Sequence, residues 1–294
     1  MANDWSDYEL IDFGDSRRLE RFGDAVLDRP CPAAAEAKKA TPAAWSEALA
    51  RYDGARATDG DWKPRKKAAA IASACRVPLR DGLEITLGVT PTPAGQVGLF
   101  PEQLANWRWI ADRTARLAKS RPDEPPRVLN LFAYTGGSTL AAACAGAAVT
   151  HVDASKPSVA LARENAERSG LADAPIRWIV EDAVRYCQRE VKRDARYDAI
   201  ILDPPSYGHG PKGEAWRLDH DLLGLLELCA TLVDRSPKFF LATCHTPGVG
   251  PAELSAYLSD AIVGHCGQPP TDGELCLKTA SGRRLESGVY ARWP

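Results

Sequence analysis

The chain has 294 residues, 45% of them hydrophobic and 26% charged, which is an ordinary globular composition and excludes a disordered or low-complexity polymer. Its length exceeds one typical small domain and predicts a large domain with an appendage. A formal net charge of −2 gives no global nucleic-acid signature, so a polyanion partner requires a local basic patch.

No apolar run approaches the roughly 20 residues needed to span a bilayer. The acidic opening MANDWSDYEL lacks the basic-then-apolar order of a secretory leader, so the chain reads as cytoplasmic. Eight cysteines are scattered without a C-x-x-C pair, a pattern that predicts neither a zinc site nor a disulfide framework, and no metal is expected.

Residues 1–95 read as a small β-rich appendage with a possible substrate-binding role. DGLEITLGVTP alternates like an exposed strand, and prolines are frequent. WKPRKK (Trp62 to Lys67) sets an aromatic beside Lys63, Arg65, Lys66 and Lys67, a candidate patch for phosphate contact; such a run also serves as a solvated face. Residues 96–294 read as one α/β domain. From about residue 127, RVLNLF, VTHVDAS, PIRWIVED and YDAIIL are strands alternating with helical segments, among them KPSVALARENAERSG with Ser155 as N-cap and Gly170 at its end. DHDLLGLLELCATLV is helical, KFFLATC is a fifth strand, PAELSAYLSDAIVGHC is another helix, and the tail ELCLKTASGRRLESGVYARW folds into two strands. The alternation predicts a parallel, doubly wound sheet with helices on both faces, closed by an antiparallel strand.

Chemistry-bearing residues fall where these strands end. Gly136 and Gly137 separate the first strand of the series from its helix, a place where backbone N–H groups can approach a ligand. The G-x-G-x-x-G dinucleotide pattern is absent, which argues against a nicotinamide enzyme. Asp153 ends the second strand, where an acid can accept both ribose hydroxyls. Asp182, with Ala183 beside it, ends the third, and Asp203 the fourth. Any one of these acids could instead cap a helix; three of them converging with a glycine turn form a candidate site. Behind Asp203 stand Pro204 and Pro205, which cannot extend a strand and leave the sheet as a stiff loop. Asp203 on that ledge can hold a ring nitrogen, and Tyr207 can stack on a flat base.

LNLFAYTGGSTL, HVDAS, the Glu181-Asp182 pair and DPPSY resemble, in order, the motifs of class I S-adenosylmethionine-dependent methyltransferases. More narrowly they are similar to the group that methylates bases of large-subunit ribosomal RNA to 5-methylcytosine or 7-methylguanine. GLFPEQLANW resembles the upstream segment that lies over the cofactor in that group. The resemblance implies a Rossmann-like seven-stranded sheet with an antiparallel last strand. It implies S-adenosyl-L-methionine as cofactor, and RNA, probed through a base, as partner. It also implies a cofactor pocket lined by Gln103, Asn130, Phe132, Tyr134, Thr135, Gly136, Gly137, Asp153, Ala154, Ser155, Glu181, Asp182, Ala183 and Asp203. The chain departs from the group at Asn130, where an acid is common, and at Leu104 and Trp107, where arginines are common. The N-terminal part does not match the group's RNA-binding PUA domain. Cys244 in LATCHTPG resembles the nucleophile that adds to a pyrimidine ring in 5-methylcytosine formation; a small buried cysteine at a strand end is the alternative. Asp203, Tyr207 and Cys244 are therefore the candidate catalytic residues. A methyltransferase for a small molecule or protein, and a non-catalytic RNA-binding protein on the same fold, are the competing readings.

Overall fold

The computed structural model describes residues 5–55, 59–64, 73–80, 82–209, 213, 215–233, 237–264 and 268–294. The chain divides into two compact units. Met1–Pro78, Glu84–Leu104 and Cys276–Ser287 form the first, and Leu79–Leu83, Ala105–Leu275 and Gly288–Pro294 the second.

In the first unit, β1 (Tyr8–Gly14), β2 (Arg17–Phe22) and β3 (Ala25–Pro30) form an antiparallel meander. Asp15 and Ser16 join β1 to β2 at φ of 52° and 60°, the left-handed pair that matches a two-residue hairpin to strand twist. β4 (Ala50–Tyr52) pairs parallel with β3, and β5 (Trp62–Pro64) pairs antiparallel with β4, completing a five-stranded sheet. β6 (Ser73–Pro78) and β7 (Glu84–Val89) make a separate antiparallel pair. Glu20 is fully buried yet satisfied: Arg29 donates to it at 2.6 Å, Tyr8 Oη at 2.9 Å, and Arg18 lies at 3.2 Å. Charges that leave water in this way must be paired, since removing one partner costs several kcal/mol.

From Ala105 onward α1 (Leu104–Ser120) lies in the second unit and leads into the strand–helix series, whose last two strands also include residues of the first unit's Cys276–Ser287. This series runs β8 (Arg127–Leu131), α2 (Gly137–Cys144), β9 (Ala148–Asp153), α3 (Lys156–Arg168), β10 (Ile176–Val180), α4 (Ala183–Lys192) and β11 (Ala199–Leu202). A short hairpin of β12 (Tyr207–His209) and β13 (Ala215–Arg217) follows, then α5 (Leu218–Leu232), β14 (Phe239–Cys244), α6 (Pro251–Leu258), β15 (Thr271–Lys278) and β16 (Arg284–Trp293). The sheet order is β10-β9-β8-β11-β14-β16-β15. β10, β9, β8, β11 and β14 run parallel, and β16 is antiparallel to β14. This is the expected Rossmann-like α/β architecture, with the antiparallel closing strand and the additional N-terminal β structure.

β11 and β14 are buried along their whole length, as central strands covered on both faces must be. Leu129, Leu131, Ile200, Leu202 and Phe240 pack with Leu222, Leu225 and Leu226 of α5 in one apolar cluster. Each such side chain contributes about 1.5–3 kcal/mol through burial. Ser155 caps α3 by accepting the Ser158 N–H at 3.3 Å, with Pro157 in the first turn and Gly170 at φ +69° just beyond the end. β8 is flanked by β9 on one side and β11 on the other, so connections diverge at its carboxyl end. A crevice for a ligand opens at such a switch point.

Candidate active site

The loop leaving β8 is conformationally costly. Phe132 and Tyr134 take φ of 52° and 48°, a region that bulky side chains rarely adopt, and Gly136 takes φ 91°. Strain of this kind persists only where surrounding structure dictates it, and it clusters at ligand sites. A Cβ on Gly136 would lie 3.1 Å from Ala162 Cβ, and one on Gly137 would lie 2.6 Å from the Trp107 ring. Trp107, buried in α1, thus occupies the space that demands a glycine at the start of α2. Thr135 is buried, and its carbonyl accepts the Asn165 side-chain amide at 2.9 Å.

Asp153 ties this loop to the next strand. Its Oδ2 accepts the Tyr134 N–H and its Oδ1 the Ser155 N–H, both at 2.8 Å. Burial raises the Asp153 carboxyl above its ordinary pKa, against the two backbone donors that lower it. Each oxygen keeps a further lone pair, which suits a carboxylate that accepts a diol. Ala154 beside it is half-buried.

The other residues named from the sequence take varied places. Asp182 caps α4, accepting the Arg185 N–H at 2.9 Å. Glu181 binds Arg189 at 2.8 Å, and Ala183 is packed in the apolar cluster. Asn130 is buried and donates to Thr139 Oγ1 at 2.8 Å, which in turn meets His151 Nδ1 at 2.9 Å. Burial, with Arg163 nearby, lowers the His151 pKa to about 3. Gln103 belongs to the first unit, buried in a short turn at Pro101–Gln103. Lys63, also in the first unit, lies 3.3 Å from Asp61 and 3.5 Å from Asp53. Arg65, Lys66 and Lys67 lie outside the described residues.

Asp203 follows β11 directly, with its side chain 33% exposed, and His245 Nε2 lies 3.3 Å from its Oδ1. The Pro-Pro loop behind it is held from three sides. Trp216 Nε1 donates to the Pro205 carbonyl at 2.7 Å, the Leu218 N–H donates to the Ser206 carbonyl at 3.1 Å, and Ser206 Oγ meets Thr246 Oγ1 at 2.8 Å. The buried Trp216 ring also packs on Phe132 with centroids 5.0 Å apart, joining the ledge to the strained loop. Tyr207 stands out from this frame, 57% exposed. Cys244 ends β14 but faces the apolar cluster with 1% exposure, its Sγ accepting the Thr246 N–H at 3.4 Å.

A half-exposed carboxylate can bind a ring nitrogen and take up its proton, and an exposed aromatic can stack on a flat ring. Sequence reading did not single out Trp216 or Thr246. Nothing in a lone tryptophan or threonine signals a contact to a proline carbonyl or to a serine forty residues away. The signal for His245 was available, since it directly follows the strand-ending Cys244.

The chain has relatives of known description. Residues 80–260 match a protein family described as S-adenosylmethionine-dependent methyltransferase. A solved SAM-dependent methyltransferase from Agrobacterium tumefaciens is 35% identical, superposes with a TM-score of 0.85, and is covered over 98% of this chain and 90% of its own. SMU.776, described as a candidate methyltransferase and solved in complex with SAH, shares the fold at 19% identity and a TM-score of 0.71, over 99% of this chain and 76% of its own. Ribosomal RNA large subunit methyltransferase I from Shigella boydii is 30% identical over 142 residues, which is 44% of this chain and 36% of that protein. The protein of the same description from Klebsiella pneumoniae is 33% identical over 100 residues, 34% of this chain and 25% of its own. The chain therefore matches about a third or less of the length of these curated relatives.

Proposed function

The chain belongs to the S-adenosylmethionine-dependent methyltransferases, and on that footing we propose that it methylates a base nitrogen of large-subunit ribosomal RNA in the cytoplasm. The observation that carries the reading is the Pro-Pro loop fixed by Trp216, which begins at the half-exposed Asp203 and ends at the exposed Tyr207. A planar base stacked on Tyr207 places its edge toward Asp203, and a rigid loop keeps that geometry. The partial likeness to ribosomal RNA large subunit methyltransferase I supports a ribosomal substrate.

S-adenosylmethionine is the methyl donor and brings an already reactive sulfonium methyl group. The residues present fit it: Gly136, at φ 91°, turns the backbone into the start of α2, where N–H groups face a ligand, and the partly buried Asp153 carboxylate has acceptor capacity for the ribose hydroxyls. Asp182, while capping α4, has a second carboxylate oxygen for the adenine edge. Phe132, Tyr134 and Thr135 shape the intervening wall, and Gln103, Ala154, Ser155, Glu181 and Ala183 stand as further positions of the family pattern. Asn130 acts here beneath the loop through Thr139, holding the turn in place.

Asp203 accepts a hydrogen bond from the target nitrogen and takes its proton as the nitrogen gains the methyl group. His245, 3.3 Å away, can take that proton on from Asp203. Cys244 is turned into the core, which favours nitrogen methylation over addition of a thiolate to a pyrimidine ring. Lys63, Arg65, Lys66 and Lys67 supply phosphate contacts on the appendage. Purified protein should transfer labelled methyl from S-adenosylmethionine to large-subunit ribosomal RNA taken from a strain lacking it. Transfer to no RNA would sink the substrate assignment.

A further inference from the structure

A cleft of about 420 Å³ is lined by Tyr207, Arg217 and Thr246 together with Glu253 and Tyr257 of α6. Such a volume is typical of sites that enclose a small ligand. Glu253 and Tyr257 are four residues apart on one helix, so both project from the same face. Leu254 and Leu258, the alternate pair, are buried and anchor that helix.

We propose that this cleft holds a second nucleotide of the RNA, the neighbour of the base presented to Asp203, and that it selects a base carrying an exocyclic amine. The assignment rests on the RNA reading given above and specifies how the RNA is read. Tyr257 offers a half-buried ring for stacking, which any base accepts. The polar groups then discriminate. Glu253 is acceptor-only and negatively charged, and Asp219, also lining the cleft, has the same character. Asp219 is engaged by Arg217, so it is the Glu253 carboxylate that repels a phosphate and rewards an N–H donor, and a base edge enters while the backbone stays outside. Cytosine and adenine present an amine there, whereas uracil presents a carbonyl that a carboxylate repels. Arg217, exposed and bound to Asp219 at 2.9 Å, lines the same cleft and supplies a cation for the phosphate that joins the two nucleotides.

The test uses the 294-residue chain with single-stranded RNA hexamers of cytidine, adenosine or uridine. Binding is followed by fluorescence anisotropy, and S-adenosylmethionine affinity is measured in parallel. The expected result is that the cytidine and adenosine hexamers bind about fivefold more tightly than uridine, the scale of one ordinary net hydrogen bond at an exposed carboxylate. Glu253→Gln should bring the three within about twofold of one another, and Tyr257→Leu should weaken all three by about tenfold. Cofactor affinity should be unchanged in both. Should Tyr257→Leu fail to fold, the exposed Glu253→Gln decides alone. Equal binding of the three hexamers by the wild type, an unaltered preference in Glu253→Gln, or no hexamer binding at millimolar concentration would overturn the cleft assignment. If ribosomal RNA is still methylated in those cases, the substrate reading survives; if no RNA is methylated, it falls independently.

Discussion

Asp153 Oδ2 accepts the backbone N–H of Tyr134 at 2.8 Å, which fastens the acid ending β9 to the strained loop that follows β8. One carboxylate therefore shapes the loop and, in the proposed complex, receives the ribose. Asp153→Ala should lose about 1.5–3 kcal/mol of S-adenosylmethionine affinity, the scale of charge-assisted hydrogen bonds. Because burial raises this carboxyl, affinity in the wild type should also decline at a higher pH than for an ordinary aspartate. Calorimetry across pH checks both, and a folded Asp153→Ala with unchanged affinity removes the assignment.

His151 gives a pH signature of stability. Its folded pKa is lowered to about 3, against about 6.5 when unfolded. Between those values the unfolded chain binds more protons, so this contribution is complete above about pH 6.5 and is lost as pH falls towards 3. Relative to His151→Gln, the wild type should lose about 2 kcal/mol by about pH 5. Urea midpoints measured across pH provide the comparison; parallel curves for the two proteins would contradict the burial of a neutral imidazole.

Asp12 holds the first unit together. Its carboxylate accepts from the N–H groups of Phe13, Ala40 and Thr41, from Trp45 Nε1 at 2.9 Å, and from Arg283 at 2.6 Å. Burial raises its pKa, but the hydrogen bonds from Trp45 and the backbone prevail and lower it to about 2. Its contribution is thus present above about pH 4 and disappears as pH falls through 2. Asp12→Ala at neutral pH should cost about 3–5 kcal/mol by stranding buried donors and a guanidinium. A thermal melt close to that of the wild type would refute this.

The second unit was legible because its signals are local. β11 is an uninterrupted apolar run and β14 is broken only by Thr243, Ser155 and Gly170 bracket α3, and acids mark the strand ends. The first unit was less so. RRLERF, β2, is rich in charge, yet Arg17 and Glu20 are buried because Asp28, Arg29 and Tyr8 on neighbouring strands satisfy them. Pairing across strands has no periodicity in sequence. The site shows the same division. Glycines and acids were visible at strand ends, whereas the strain at Phe132 and Tyr134, the brace from Trp216 and the cleft at Tyr257 arise only from three-dimensional contacts.

Cys244 separates two chemistries. With its thiol in the apolar cluster, Cys244→Ala should retain methyl transfer within about twofold, whereas Asp203→Asn should lower turnover about 10²–10⁴-fold, the range for a general acid–base group. No covalent adduct should form with RNA containing 5-fluorocytosine. An adduct that vanishes in Cys244→Ala would establish the carbon mechanism instead.

The most direct test of the central claim is mass mapping of methylated nucleotides in large-subunit ribosomal RNA from a strain lacking this protein. The account predicts that one methylated base disappears, returns with the wild-type gene, and does not return with Asp203→Asn. An unchanged modification map in the deletion strain would contradict it.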